Sequence, residues 1–256
     1  NSLDKNLQNK FIKINNAKNL FKKIHVTHEK MKIFFLESGI SESKIIKLPI
    51  CIDDKYFKNI LNKTTLRKKY NIPQSAFVIG SFQKDGNGWG KGNEMKLVKG
   101  PDIFLNVLKI LSSKIDNLFI VLSGPSRGYV VKNLKKLNIK FIHIQNLKYD
   151  EIINLYNALD LYLITSREEG GPRSFMESLA TRTPFVSTPV GMIQDYLNNL
   201  SFVSKNFNEE ELADLCLKVY SLSDEDLYNY KKAIYKMSFN FTYKNNSILW
   251  KKLLYN

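Results

Sequence analysis

The stretch ITSREEGGPRSFMESLATRTPFVSTPVG, residues 164–191, decides how the rest of the chain is read. It begins inside an apolar run, LDLYLITS (159–166), breaks into the turn REEGG, and resumes with apolar residues at helical spacing. Pro172 is expected at the first helical position, where its fixed φ suits a helix and its missing N–H is not needed. The helix then carries Phe175, Met176, Leu179 and Ala180 as a buried stripe, and PFVSTP (184–189) follows as a further strand. Strand, glycine turn, helix and strand together make the repeating unit of a parallel α/β sheet.

Working outward, the same rhythm recurs from about residue 77. FVIGSF (77–82), LFIVLSG (118–124) and KFIHIQ (140–145) are three more strand candidates. Pro101 and Asp102 open a helix with Gly100 as its cap, and Ile103, Phe104, Val107, Leu108 and Leu111 recur at helical spacing. Another helix runs through Ile152, Ile153, Leu155 and Tyr156. The expected fold is therefore α/β, a Rossmann-like doubly wound parallel sheet with right-handed crossovers. Ligands in such sheets bind beyond the carboxyl ends of the strands, so the residues just after each strand are the candidates for function.

The first 75 residues differ in texture. A Lys/Asn-rich stretch precedes KIIKLPICIDDKYF, and Pro49 and Pro73 bracket what reads as a linker. The tail from Glu209 is helical in pattern, and its last segment, TYKNNSILWKKLLYN, places Ile248, Leu249 and Leu253 on one face.

Composition narrows the function classes. With 256 residues, 43% hydrophobic and 25% charged, the chain can bury one large core or two modest ones, which excludes wholesale disorder and a disulfide-dependent scaffold. Cys51 and Cys216 have no CxxC partner and read as reduced, structural residues. His25, His28 and His143 form no metal or nucleophile set, so no metal site is expected. No apolar run reaches the roughly 18 residues of a membrane-spanning helix. The chain opens on Asn1, as a fragment would, and NSLDKNLQNKFIK lacks the layout of a secretory signal, so a cytoplasmic location is expected. A net charge of +15 favours anionic partners and is compatible with peripheral contact at an anionic inner membrane face. Tyr and Phe are not interleaved with Lys on a recognisable stacking sheet, so a nucleic-acid partner is not expected.

The richest chemistry lies in the quoted stretch. Gly170 and Gly171 let backbone approach a ligand, and the unsatisfied amides of the helix start make an anion site. Arg173 in the first turn opposes the helix dipole, a conflict that an anionic ligand would relieve. Glu169 and Glu177 frame the site, as carboxylates able to act in acid/base chemistry or to accept hydrogen bonds from sugar hydroxyls. A second loop, GSFQKDGNGWGKGNEMKLVKGPD, has Gly86, Gly88, Gly90 and Gly92 at alternate positions but fits neither the dinucleotide fingerprint nor a P-loop; alone it suggests a mobile loop.

Glu169, GGPRSFM and Glu177, followed by LATRTPFVSTPVG and Asp195, resemble the donor-site signature of the family-four (group 1) retaining glycosyltransferases, which have the GT-B fold. The resemblance covers about residues 25–256. It implies that Glu169 lies near the donor sugar, that Glu177 holds the ribose hydroxyls, and that the backbone through Gly170, Gly171, Pro172, Arg173 and Ser174 grips the pyrophosphate or sugar. Lys99, in a Lys-Gly pair, and Lys84, with Lys96 behind it, would neutralise the departing diphosphate. Gly124 closes a strand much as the family's glycine turn does, and Gln145 and Leu147 fall where its backbone reads the base. Arg182 stands where the family often has Gly. VTHEKMKIFFLESGISESKIIKLPICIDDKYF is similar to the family's interdomain segment.

On that resemblance, residues 1–48 end an acceptor lobe, 49–75 link the lobes, 76–238 form the nucleotide-sugar-binding lobe, and 239–256 form a helix returning toward the amino-terminal lobe. The implied partners are a nucleotide diphosphate-sugar donor and a glycan or lipid-linked acceptor, with no further cofactor and no metal. A non-catalytic lobe binding nucleotides or anionic surfaces, and lacking its acceptor domain, is the alternative.

Overall fold

The computed structural model describes residue 9 and residues 12–53, 55–57, 62–88, 90–199 and 201–255. Most of the opening stretch 1–13, and with it the start of the expected 1–48 unit, lies outside the described residues. β1 (Ile24–Val26), α1 (Glu29–Glu37) and β2 (Ile45–Lys47) form a small unit whose two strands are parallel. There follow α2 (Lys63–Lys69), β3 (Phe77–Ser81), α3 (Pro101–Ser112), β4 (Leu118–Ser123), α4 (Gly128–Lys136), β5 (Phe141–Ile144), α5 (Glu151–Ala158), β6 (Leu161–Ile164), α6 (Arg173–Thr181) and β7 (Phe185–Ser187). The tail is helical: α7 (Glu209–Tyr220), α8 (Asp224–Ser238) and α9 (Ser247–Tyr255).

The five strands expected from the sequence make one parallel sheet in the order β5-β4-β3-β6-β7. Because successive strand side chains point to opposite faces, the strands feed two cores. Val78, Val121, Tyr162 and Ile164 meet α5 and α6 on one face, while Ile79, Ile120, Leu122, Leu161 and Leu163 meet α3 and α7 on the other. In α3 the predicted stripe Ile103, Phe104, Val107, Leu108 and Leu111 is at most 1% exposed, and each such side chain contributes about 1.5–3 kcal/mol. Gly100 precedes this helix at φ +60, and a Cβ there would fall 1.9 Å from the Thr165 carbonyl oxygen. The α3 start is thereby pressed against the end of β6.

Three expectations need correction. The helix after the glycine turn begins at Arg173, with Pro172 as its cap at ψ 117, since a capping residue keeps an extended backbone. The 49–75 stretch read as a linker contains α2, which is docked on the main domain. Its Leu66 joins the core, and the buried Arg67 donates to the carbonyls of Ala158 (3.0 Å), Gln74 (2.8 Å) and Ala76 (3.1 Å) and to Asp160 Oδ2 (2.6 Å). A helix that looks polar can dock because Asp160 meets its buried charge. In α9, Ile248 stays 79% exposed and Leu249 38% exposed. Leu253 is half-buried, as is Trp250, whose Nε1 reaches Cys51 Sγ at 3.5 Å and whose ring lies 5.6 Å from that of His25.

The histidines serve the backbone. His28 caps α1 by accepting from the Met31 amide, His25 Nε2 lies 2.7 Å from the Leu48 carbonyl, and His143 Nε2 lies 2.9 Å from that of Gly124. Cys51 and Cys216 are buried free thiols. Among the described residues no helix is long and apolar enough to cross a membrane.

Candidate active site

The strand order reverses between β3 and β6, and a crevice forms at such a switch point. Here the loops leaving the two strands are fastened to each other. Arg167 Nη1 and Nη2 donate to the two oxygens of Asp102 at 2.8 and 2.6 Å, and its amide donates to the Val98 carbonyl at 2.9 Å. The Lys99 carbonyl accepts from Gln83 Nε2 at 3.1 Å and Thr165 Oγ1 at 3.4 Å. The Lys99 ammonium is ion-paired with Glu169, whose Oε1 also accepts from Ser166 Oγ at 3.0 Å.

These loops wall a cavity of about 560 Å³. Lys84, Lys96, Lys99, Lys148 and Arg173 line it against two carboxylates, Glu169 and Glu177, so the cavity is suited to an anion. Gly171, Pro172 and Ser174 bring the first turn of α6 to its edge, where a helix leaves amides without intrahelical partners. The remaining wall is apolar and aromatic, made by Phe82, Leu147, Tyr149, Ile152 and Tyr162. A charged floor beside an aromatic wall can hold a phosphorylated ligand with a flat ring.

Glu177 sits on the second turn of α6, buried, with Oε2 accepting from the Tyr156 hydroxyl at 2.8 Å. Burial pushes its pKa above the ordinary glutamate value, opposed by the Tyr156 bond and the Arg173 charge. Tyr162 presents its hydroxyl oxygen to the Phe82 amide at 2.7 Å, and burial raises its pKa to about 12. Arg173, expected to need an anion, already has neighbours: Nη2 donates to the Tyr149 hydroxyl at 2.7 Å, and Nε lies 3.7 Å from Glu177 Oε1.

Of the residues singled out from the sequence, Lys84, Lys99, Leu147, Glu169, Gly171, Pro172, Arg173, Ser174 and Glu177 line this one cavity. Gly124, Gln145 and Gly170 do not. Gln145 lines a separate cavity of about 520 Å³ with Lys91, Lys132 and Lys135, although Leu147, two residues on, lines this one. The Gly170 carbonyl faces the small amino-terminal unit, accepting from Thr27 Oγ1 at 2.6 Å and from the Met192 amide at 3.1 Å. Sequence reasoning missed Phe82, Tyr149, Tyr156 and Tyr162. Phe82, Tyr156 and Tyr162 sit inside strand or helix patterns and Tyr149 in the turn before α5, so spacing alone did not mark them as site residues.

The glycine-rich loop is anchored, contrary to its reading as mobile. Gly92 has φ +69, and a Cβ there would lie 2.2 Å from the Ser126 carbonyl oxygen. At the loop's root the side chains of Asp85 and Arg127 are both fully buried, with Nε 2.9 Å from Oδ1, and Arg127 also donates to the carbonyls of Ser81 (2.6 Å) and Ser123 (3.0 Å). Burial raises the Asp85 pKa, against the pull of Arg127. This pair holds the segment next to Lys84.

Arg182 explains its own departure from the family pattern. It ends α6 in the left-handed conformation, φ +57, and its guanidinium lies 4.1 Å from the Tyr235 ring centroid. Glycine adopts that backbone without strain; arginine here gains a cation–π contact.

Comparison with known proteins agrees with this geometry. "Uncharacterized protein 356" of Sulfolobus islandicus rod-shaped virus 1 is 33% identical over 99 residues, which cover 38% of this chain and 26% of that protein. A solved glycosyltransferase from Rickettsia africae ESF-5 superposes with a TM-score of 0.76 at 22% identity, over 96% of this chain and 67% of that one. Anabaena Alr3699/HepE, solved in complex with UDP and glucose, gives a TM-score of 0.78 at 16% identity, over 98% and 67%. At these identities the likeness is one of fold, that of a GT-B glycosyltransferase. The family model for glycosyl transferases group 1 matches residues 92–237. A match of that extent, taking in every cavity residue except Phe82, Gln83 and Lys84, makes this chain a member of the glycosyl transferases group 1 family.

Proposed function

We propose that the cavity binds a nucleotide diphosphate-sugar and that the protein transfers its sugar to an acceptor hydroxyl, with retention at the anomeric carbon, in glycan or polysaccharide synthesis. The supporting observation is that Lys84, Lys99, Glu169, Glu177 and the first turn of α6 converge on one basic cavity with an aromatic wall. In this reading Lys84 and Lys99 stabilise the leaving diphosphate as point cations. Glu177 accepts hydrogen bonds from the ribose, Glu169 positions the sugar, and Gly171, Arg173 and Ser174 hold the phosphates. Leu147 and Tyr149 flank the base.

The bond from the anomeric carbon to the diphosphate oxygen breaks while the acceptor oxygen attacks from the same face. The acceptor's proton passes to the departing phosphate, so no side chain need serve as general base. The reading calls on no resident cofactor or metal, because the lysines meet the developing charge. Its acceptor is a glycan or lipid-linked glycan in the cytoplasm, and the β1–α1–β2 unit is the end of the lobe that binds it.

Ligand-observed NMR titration with UDP, GDP and ADP and their sugar conjugates tests the reading. One nucleotide is expected to bind selectively and to weaken in both Lys99→Ala and Glu177→Ala. Binding without turnover across a full donor panel would leave a non-catalytic nucleotide-binding lobe, and an inverted product would sink retention.

A further inference from the structure

The two charged side chains assigned above to the diphosphate and to the sugar are occupied with each other. Lys99 and Glu169 are ion-paired inside the cavity, with side chains 23% and 17% exposed. Their surroundings are fixed. Gln83 and Thr165 hold the Lys99 carbonyl, Arg167 ties the 167–169 turn to Val98 and Asp102, and Ser166 holds Glu169 Oε1. What retains rotational freedom is the lysine stem, a four-carbon chain ending in a point charge. Lys99 can change partner without moving the backbone.

We propose that Glu169 and the donor's diphosphate compete for Lys99, and that this competition ejects the spent nucleoside diphosphate. The inference rests on the donor-site reading above. A diphosphate carries more negative charge than one carboxylate and draws Lys99 away from Glu169. The Glu169 carboxylate, largely shielded from water, then has acceptor capacity to fill, and leaving it unfilled is costly. The hydroxyls of an attached sugar fill it. A nucleotide sugar therefore repairs the pairing it disrupts, whereas a nucleoside diphosphate without a sugar does not. Once the sugar has left with the acceptor, the unfilled Glu169 competes for Lys99 again and weakens its hold on the diphosphate. The same two residues thus favour entry of the substrate and departure of the product.

Inorganic pyrophosphate, which has neither sugar nor base, isolates the competition. Its affinity is measured by calorimetry for the wild type, Glu169→Gln, Lys99→Met and the double variant. Glutamine keeps the size of the side chain and an oxygen for Ser166. Glu169→Gln is expected to bind pyrophosphate about fivefold to twentyfold more tightly than the wild type, within the range of coupling between contacting residues. In the Lys99→Met background the same change is expected to alter affinity by less than about twofold. Lys99→Gln replaces Lys99→Met if the methionine variant does not fold.

An unchanged or weaker affinity in Glu169→Gln overturns the exchange. So does a gain that persists undiminished without Lys99, since it would then be a through-space charge effect. If pyrophosphate binding is lost in Lys99→Met but indifferent to Glu169, the donor-site reading stands and the exchange falls. If neither the wild type nor Glu169→Gln binds pyrophosphate, both fall together.

Discussion

The hydroxyl of Tyr156, on α5, donates a 2.8 Å hydrogen bond to Oε2 of Glu177, on α6; the tyrosine is fully buried, and the glutamate is buried apart from the edge it turns to the cavity. A carboxylate in that position depends on its donor. Tyr156→Phe is expected to destabilise the protein by about 1–3 kcal/mol by leaving a buried acceptor unmet, and to weaken nucleotide binding. The cost should shrink in a Glu177→Gln background, which urea melts of the four proteins would show.

Glu177 also ties function to stability through pH. Burial raises its pKa above the ordinary value of 4.5, so the folded protein binds the proton more tightly than the unfolded chain. The stabilising contribution is complete below pH 4.5 and is lost as pH rises through the folded value. Glu177→Gln removes that loss. Its unfolding free energy in urea melts is expected to exceed that of the wild type at pH 8, with the gap closing toward pH 4. Donor binding, in contrast, should fall toward pH 4, where protonated Glu177 accepts fewer hydrogen bonds from the ribose.

Asp85 and Arg127 form a fully buried pair at the root of the glycine-rich loop. Asp85→Ala strands the arginine charge and is expected to cost about 3–5 kcal/mol. Hydrogen exchange should quicken across 84–96 more than across α7, because the Asp85 carbonyl also accepts from the Lys96 amide at 2.7 Å.

At Arg182 the order of two variants is diagnostic. Arg182→Ala keeps the left-handed backbone strain and loses the Tyr235 contact, whereas Arg182→Gly loses the contact but relieves the strain. Glycine is expected to be the more stable variant by about 1 kcal/mol, as read from thermal midpoints. The reverse order would mean that the backbone there is not strained.

The sheet was legible because its strands are nearly continuous apolar runs set between helices with clear stripes, as in Ile103, Phe104, Val107, Leu108 and Leu111. The charged half of the cavity was legible because Glu169, Gly171 and Glu177 are close in sequence and lie at a strand-to-helix turn. The aromatic half was not. Phe82 ends a run that reads as strand, Tyr162 alternates correctly within one, and their meeting at 5.2 Å is a product of strand order, which local spacing does not encode. Arg67 was hidden for a similar reason. In KTTLRKK it looks like one cation among several, and only Asp160, 93 positions later, makes its burial tolerable. That Gln145 and Leu147, two residues apart after β5, line different cavities is likewise set by packing and not by spacing.

The parallel sheet has a consequence for how the chain is made. Its middle strand, β3, is the first of the five to emerge, yet the neighbour on one side, β6, lies far downstream: the Val78 amide is satisfied by Asp160, 82 positions on. Until β6 has left the ribosome, β3 can pair with β4 alone and keeps an open edge. Pairing over such separations is slow, and an open apolar edge invites association with other chains. Polypeptides released before about residue 165 are therefore expected to aggregate, and one face of the sheet stays uncovered until α7 has also emerged.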